Sequence, residues 1–178
     1  MGRQIRLATW TFMALGCSCL SPLPDFVADS AYYNFEDGTQ GWEASGATSV
    51  TSSGGQAFAG GQSLRVAVSG TPEERVYIAV EKPPVHASDR ITAHLWLPST
   101  DWLSAVQVYV QEPTRWTADA RDAASLSPGW TTFEVQVRAD TTQVDTIGVE
   151  LDFESAWSGV VYIDSISWSS GPGSDAGT

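Results

Sequence analysis

An all-β fold, a two-sheet antiparallel β-sandwich of jelly-roll type, is what this sequence predicts. Between Tyr32 and Trp168, short runs of alternating apolar and polar residues recur between clusters of Gly, Pro, Asp, Ser and Thr. No window carries a sustained apolar stripe at helical spacing. About nine strands read at this spacing, near 31–36, 47–52, 63–68, 75–81, 89–97, 104–111, 131–138, 145–153 and 160–168, and suggest two packed sheets.

The alternation assigns faces. In 104–111, Val106, Val108 and Val110 share one face, and Ala105, Gln107, Tyr109 and Gln111 share the other. In 91–97, Ile91, Ala93, Leu95 and Leu97 turn inward, leaving Thr92, His94 and Trp96 outside. Phe133, Val135 and Val137 belong to the core, as do Ile147, Val149, Leu151 and Phe153. Thr132, Glu134, Gln136 and Arg138, with Glu150 and Asp152, do not.

The 178 residues suit one domain with short tails. A formal net charge of −12 and only 9 Lys and Arg argue against nucleic acid and anionic lipid headgroups as partners. The same surface tolerates a neutral polysaccharide and suits divalent cations. Both cysteines, Cys17 and Cys19, fall in the first twenty residues, which leaves none for a disulfide in the folded domain.

Those first residues read as a leader. Arg3 and Arg6 precede an uncharged, mostly apolar stretch, Leu7 to Gly16, too short to span a bilayer but of signal-peptide length. Met13-Ala-Leu-Gly-Cys17 resembles the lipobox of bacterial lipoproteins, with Ala14 where that motif prefers Leu; cleavage near Ala28-Asp-Ser30 is the alternative. Either route exports the chain, secreted or lipid-anchored at a bacterial cell surface. The expected organisation is a signal peptide over 1–17, a tether over 18–30, the sandwich over 31–169 and a linker or tail over 170–178. The linker composition of the tail suggests a neighbouring domain or a frayed end.

Three stretches carry a resemblance: Tyr33-Asn-Phe-Glu-Asp-Gly-Thr-Gln-Gly-Trp42, Ala59-Gly-Gly-Gln-Ser-Leu-Arg-Val66 and Gly159-Val-Val-Tyr-Ile-Asp-Ser-Ile166. They resemble the galactose-binding-like jelly-roll superfamily of carbohydrate-binding modules. With Leu95-Trp-Leu-Pro98, Val108-Tyr-Val-Gln111, Trp116 and Pro128-Gly-Trp-Thr-Thr132, the chain is most similar to the accessory domain of bacterial β-mannanases. The resemblance implies a non-catalytic domain that binds a plant-type polysaccharide such as β-mannan, with a glycoside hydrolase domain as a possible partner. It also implies a structural Ca2+ held by Glu36, Asp164 and carbonyls near Gln62. A carboxylate at Asp164 in an apolar strand needs a partner, a cation or backbone amides.

The expected carbohydrate-binding residues are Trp96, Tyr109, Gln111, Trp116 and Trp102. Indole and phenol rings stack on pyranose faces, and amides take hydroxyls. Trp96, Tyr109 and Gln111 are expected on one shared polar face, with Trp116 or Trp102, both in loop-like segments, closing a side; packing of Trp96 under a loop is the alternative. Trp157 reads as a loop-tip contact or as a lid over one end. Trp42, Trp130 and Trp168 are assigned to packing. A structural or protein-interaction sandwich is the rival function. A small glycoside hydrolase, remoter still, would use Glu134 and Glu150 on adjacent strands. No nucleophile elbow, zinc-protease motif or phosphate loop is present, and His86 and His94 lack metal-pair spacing.

With no cysteine after Cys19, the domain should melt at the same temperature with and without dithiothreitol. A marked shift in the thermal unfolding curve would contradict this.

Overall fold

The computed structural model describes residues 30–170. The leader with Cys17 and Cys19, nearly all of the tether and residues 171–178 lie outside the described residues.

Ten strands form two five-stranded antiparallel sheets. The first has the order β1 (Glu43–Ser45), β4 (Arg75–Glu81), β9 (Thr146–Phe153), β6 (Leu103–Gln111) and β7 (Trp116–Asp122). The second has the order β2 (Ala47–Ser53), β3 (Ser63–Gly70), β10 (Trp157–Ser169), β5 (Arg90–Leu97) and β8 (Gly129–Gln136). Apart from the hairpins β2–β3 and β6–β7, consecutive strands lie in different sheets, and each sheet buries one face against the other. Among the described residues the only helix is a single 3-10 turn, Ala123–Ser125.

The core is the set that alternation assigns. Val106, Val108 and Val110 meet Ile147, Val149 and Leu151 within the first sheet, and Ile91, Leu95, Phe133, Val135, Val161 and Ile163 face them from the second; all are buried.

Three elements differ from the sequence expectation. Residues 31–36 make a single bridge, Tyr33 to Ile166, and then turn. Phe35 adopts a positive φ of 57°, and its amide is taken by Gln40 Oε1 at 2.8 Å, so the chain leaves the sheet there. β1 is too short to show a periodicity. β7 has no apolar inward face: Asp119 and Arg121 face the interior at the sheet edge. There Arg121 pairs with Asp119 at 2.6 Å and lies 4.4 Å over the Phe133 ring. Asp119 also accepts the amide of Glu134 at 3.1 Å, joining the edge strand β7 to the edge strand β8 of the other sheet. Burial resists the Asp119 charge, but the guanidinium and the amide outweigh it and hold the carboxyl below its ordinary value.

Strand β10 carries a bulge between Asp164 and Ser167, with Ser165 at φ 49°. Up to Asp164 the strand keeps strict alternation, which puts Tyr162 and Asp164 on the outer face of the second sheet. The bulge restores Ile166 to the core.

Candidate functional site

The outer face of the first sheet is a grid fixed by strand register. One row across the strands reads Ala118, Tyr109, Gly148, Ala79 and Glu43. The next reads Ala120, Gln107, Glu150, Tyr77 and Ser45. On the other flank, Trp116 stands opposite Gln111, followed by Thr146 and Glu81.

Gly148 is the gap in this grid. Tyr109 lies down over it, and a Cβ at position 148 would collide with the phenol ring. Ala118, opposite Tyr109 on β7, is also small, so Trp116 leans diagonally across and stacks on the tyrosine, with centroids 3.9 Å apart and planes 17° apart. Tyr109 is consequently only 3% exposed, while Trp116 is 43% exposed. One indole face rests on Tyr109 and the other is left to solvent. Tyr109 is therefore a pedestal, and Trp116 is the platform. Burial, with the Glu150 charge beside it, pushes the Tyr109 hydroxyl up to about 12, so it stays protonated.

Beside the platform runs a polar row. Glu150 is 2% exposed and accepts a hydrogen bond from the Gln107 amide. Arg75 lies 3.2 Å from Glu150 Oε1 and 3.3 Å from Asp152 Oδ1. Those two oxygens are buried and have no hydrogen bond, so Arg75 satisfies them by charge alone. Burial pushes the Glu150 carboxyl above its ordinary value; Gln107 opposes the shift, Asp152 adds to it and Arg75 opposes it. Beyond Tyr77, the β1–β4 end of the same face opens into a cleft of about 910 Å³, lined by Tyr32, Glu43, Tyr77, Ala79, Glu81 and Lys82 among others.

The structure divides the expected sugar-binding residues. Tyr109, Gln111 and Trp116 come together as described. Trp96 does not join them: it lies on β5, on the outer face of the second sheet, edge-on to Tyr162 at 5.5 Å. Alternation places a side chain inside or outside a sandwich, but it cannot say which of two outer faces a strand contributes to. Trp102 is not exposed either. It is 1% exposed, donates to Ser99 O at 3.0 Å, and stacks on Trp157 with centroids 4.0 Å apart and planes 6° apart. Trp157 is thus the lid over an end of the core rather than a loop-tip contact. Conversely Trp130, expected to pack inside, is half-buried on the outer face of the second sheet beside Trp96.

Glu134 and Glu150 are not on adjacent strands. They belong to different sheets, on outer faces turned away from each other, and cannot flank one glycosidic bond.

Glu36, Gln62 and Asp164 are brought together by the 56–62 loop, but by amides. Glu36 Oε1 accepts the backbone N–H of Gly61 at 2.6 Å and of Gln62 at 3.1 Å. Asp164, fully buried, accepts Phe58 N at 2.7 Å and Ala59 N at 3.3 Å on one oxygen and Ser165 N at 2.7 Å on the other. The Gln62 side-chain oxygen is 3.4 Å from Ser52 Oγ. N–H dipoles converge on both carboxylates, which is the field that stabilises an anion and repels a cation. Among the described residues, no three His, Cys, Asp or Glu side chains gather as a metal set. Backbone amides, the alternative open at the sequence level, supply charge compensation at both carboxylates.

Sequence reasoning missed Gly148, Arg75, Tyr77 and the cleft. Gly148 was the findable one, since a lone glycine inside a strand marks a close approach.

No protein-family model matches the chain, and no curated protein matches it. Solved structures do. One, from a study of promiscuous specificity in carbohydrate-binding modules of the β-sandwich superfamily, superposes with a TM-score of 0.72 at 22% identity, covering 80% of this chain and 62% of that one. The fold is that of the β-sandwich carbohydrate-binding modules. The C-terminal family 22 module of Clostridium thermocellum Xyn10B matches at TM-score 0.58 and 18% identity, over 82% of this chain and 96% of the module. The family 27 module CBM27-1 of Caldicellulosiruptor saccharolyticus, solved in complex with mannohexaose, matches at TM-score 0.58 and 12% identity, over 75% of this chain and 93% of that one. The chain spans a little under two thirds of the first structure's length and nearly all of the other two.

Two outcomes are expected here. Gly148→Val should expel Tyr109 and with it displace Trp116, so tryptophan fluorescence shifts red while the far-ultraviolet circular dichroism stays that of the wild type. An unchanged emission maximum would contradict the pedestal. Excess EDTA should leave the melting temperature unchanged, while Asp164→Ala costs at least about 2 kcal/mol in urea unfolding, because three amides lose a charged acceptor. A melt lowered by EDTA, with the difference abolished in Asp164→Ala, would restore calcium to this position.

Proposed function

We propose that this domain is a non-catalytic carbohydrate-binding module that holds a neutral polysaccharide across the outer face of its first sheet. The observation that carries the reading is Trp116, whose exposed indole is supported from beneath by Tyr109 lying on Gly148. An indole left wet on a sheet face, and pre-oriented by a buried ring, suits a flat C–H surface such as a pyranose. Gln107 and the exposed Arg75, both held by the buried Glu150, supply polar groups for hydroxyls alongside it. The cleft at the β1–β4 end extends the surface by the width of two strands, enough for a chain of several sugars rather than one.

A plant-type β-linked polysaccharide, β-mannan first, is the substrate class we assign. Its support is the sequence resemblance to mannanase accessory domains and the fold shared with a module crystallised with mannohexaose. Attachment to a glycoside hydrolase and export, by signal cleavage or through a lipid at Cys17, belong to the same proposal.

Affinity electrophoresis in galactomannan, glucomannan, xylan and β-glucan tests it. Wild type should be retarded by at least one mannan, and Trp116→Ala should weaken that retardation by about tenfold or more, the loss of one stacking contact worth roughly 1–3 kcal/mol. No retardation of the wild type by any of the four would favour an interaction protein instead.

A further inference from the structure

The second sheet presents aromatics of its own. Tyr162 on β10, Trp96 on β5 and Trp130 on β8 are register neighbours in one row across three strands, all outward. In the next row lie Asp164, His94 and Thr132. His94 Nδ1 is 2.9 Å from Thr132 Oγ1. Phe58 reaches this row from the 54–62 loop. It stacks on the His94 ring with centroids 3.5 Å apart and planes 10° apart, and meets Trp130 edge-on at 5.6 Å.

The loop that carries Phe58 is not loosely placed. The fully buried Asp164 carboxylate accepts the Phe58 amide itself, and Ala59 beside it. Ser63 hydrogen-bonds Gln56 O, and Glu36 holds Gly61 and Gln62. At the other end of the loop, Gly55 packs on the Tyr162 hydroxyl, where a Cβ would approach to 2.6 Å. Four amides donated to two carboxylates and one serine hydroxyl donated to Gln56 O thus fix a segment whose Phe58 side chain is nevertheless 45% exposed. A loop serving only to cover the sheet would turn that ring in. This one lays the ring flat, with one face on His94 and the other outward.

We propose that Phe58, with Trp130 and Trp96 beside it, forms a second carbohydrate-binding surface, on the side of the domain opposite Trp116. The chemistry points to a neutral polyhydroxylated chain. The rings offer stacking faces, and the Thr132 hydroxyl and indole N–H groups offer hydrogen bonds. The flanking charges Arg90 and Glu134 lie 3.5 Å apart and offset each other. A net charge of −12 opposes an anionic ligand here, and it opposes a second copy of the same chain as well. Two surfaces on opposite faces make the domain bivalent, able to bridge two polysaccharide chains. This inference shares the ligand class of the Trp116 site but stands on different residues, so the two fail separately.

The test compares wild type, Trp116→Ala, Phe58→Ala and the double variant in gels containing soluble galactomannan, glucomannan, xylan or β-glucan, with melting curves for each. Phe58→Ala removes a ring stacked on His94, so the melting curve checks that the fold is retained; Trp130→Phe, which keeps the packing and loses the indole, serves as the second probe. The expected result is residual retardation in Trp116→Ala that drops about tenfold further when Phe58→Ala is added. Wild type alone should raise the turbidity of a concentrated galactomannan solution by cross-linking. Retardation abolished by Trp116→Ala alone, and insensitive to Phe58→Ala and Trp130→Phe, would overturn the second surface and leave the first. Retardation lost in Phe58→Ala but intact in Trp116→Ala would uphold the second surface and overturn the first. Absence of retardation in wild type, or self-association in sedimentation that Phe58→Ala abolishes, would overturn this proposal.

Discussion

The absence of a side chain at Gly148 is the constraint on which the candidate site depends. It lets Tyr109 lie flat across the neighbouring strand rather than stand out from it. A flat, buried phenol gives Trp116 a base, and the small Ala118 gives it room to lean. The indole then has one face fixed and one face free. Little entropy is left to lose when a partner stacks on it, which is what pre-organisation contributes to affinity. The glycine weakens its own strand, but β9 is the central strand of the first sheet and is paired on both sides over its length.

A parallel logic holds the other face. The buried Asp164 replaces solvent with three backbone amides and so ties the 56–62 loop to the last strand. The bulge that follows lets the strand place a carboxylate outside and Ile166 inside within three residues. A residue that reads from sequence as a metal ligand is here the anchor of a loop. Both readings answer the same demand, that a buried carboxylate be compensated, and the amide dipoles meet that demand at Asp164.

Much of this fold was legible in the sequence. Alternation placed Val106, Val108, Val110, Phe133, Val135, Ile147 and Leu151 in the core, and it turned Tyr109, Gln111 and Trp96 outward, as observed. What it could not supply was strand order. Trp96 and Tyr109 both face out, but from opposite sheets, and nothing local to either strand encodes that. β7 escaped because its inward residues are Asp119 and Arg121, which satisfy each other through tertiary contacts. Trp102 sits in a turn of polar composition yet is buried, because Trp157, 55 positions away, stacks on it. Pairings between distant segments, rather than local pattern, account for each of these differences.

Trp116 is the ring proposed to meet the sugar. Indole N–H signals in a two-dimensional nitrogen–proton spectrum, assigned by single Trp→Phe substitutions, read this directly as mannohexaose is added. The expected result is a progressive shift of the Trp116 signal, with the buried Trp42 and Trp102 signals unmoved. Saturable binding that leaves the Trp116 signal in place would contradict it.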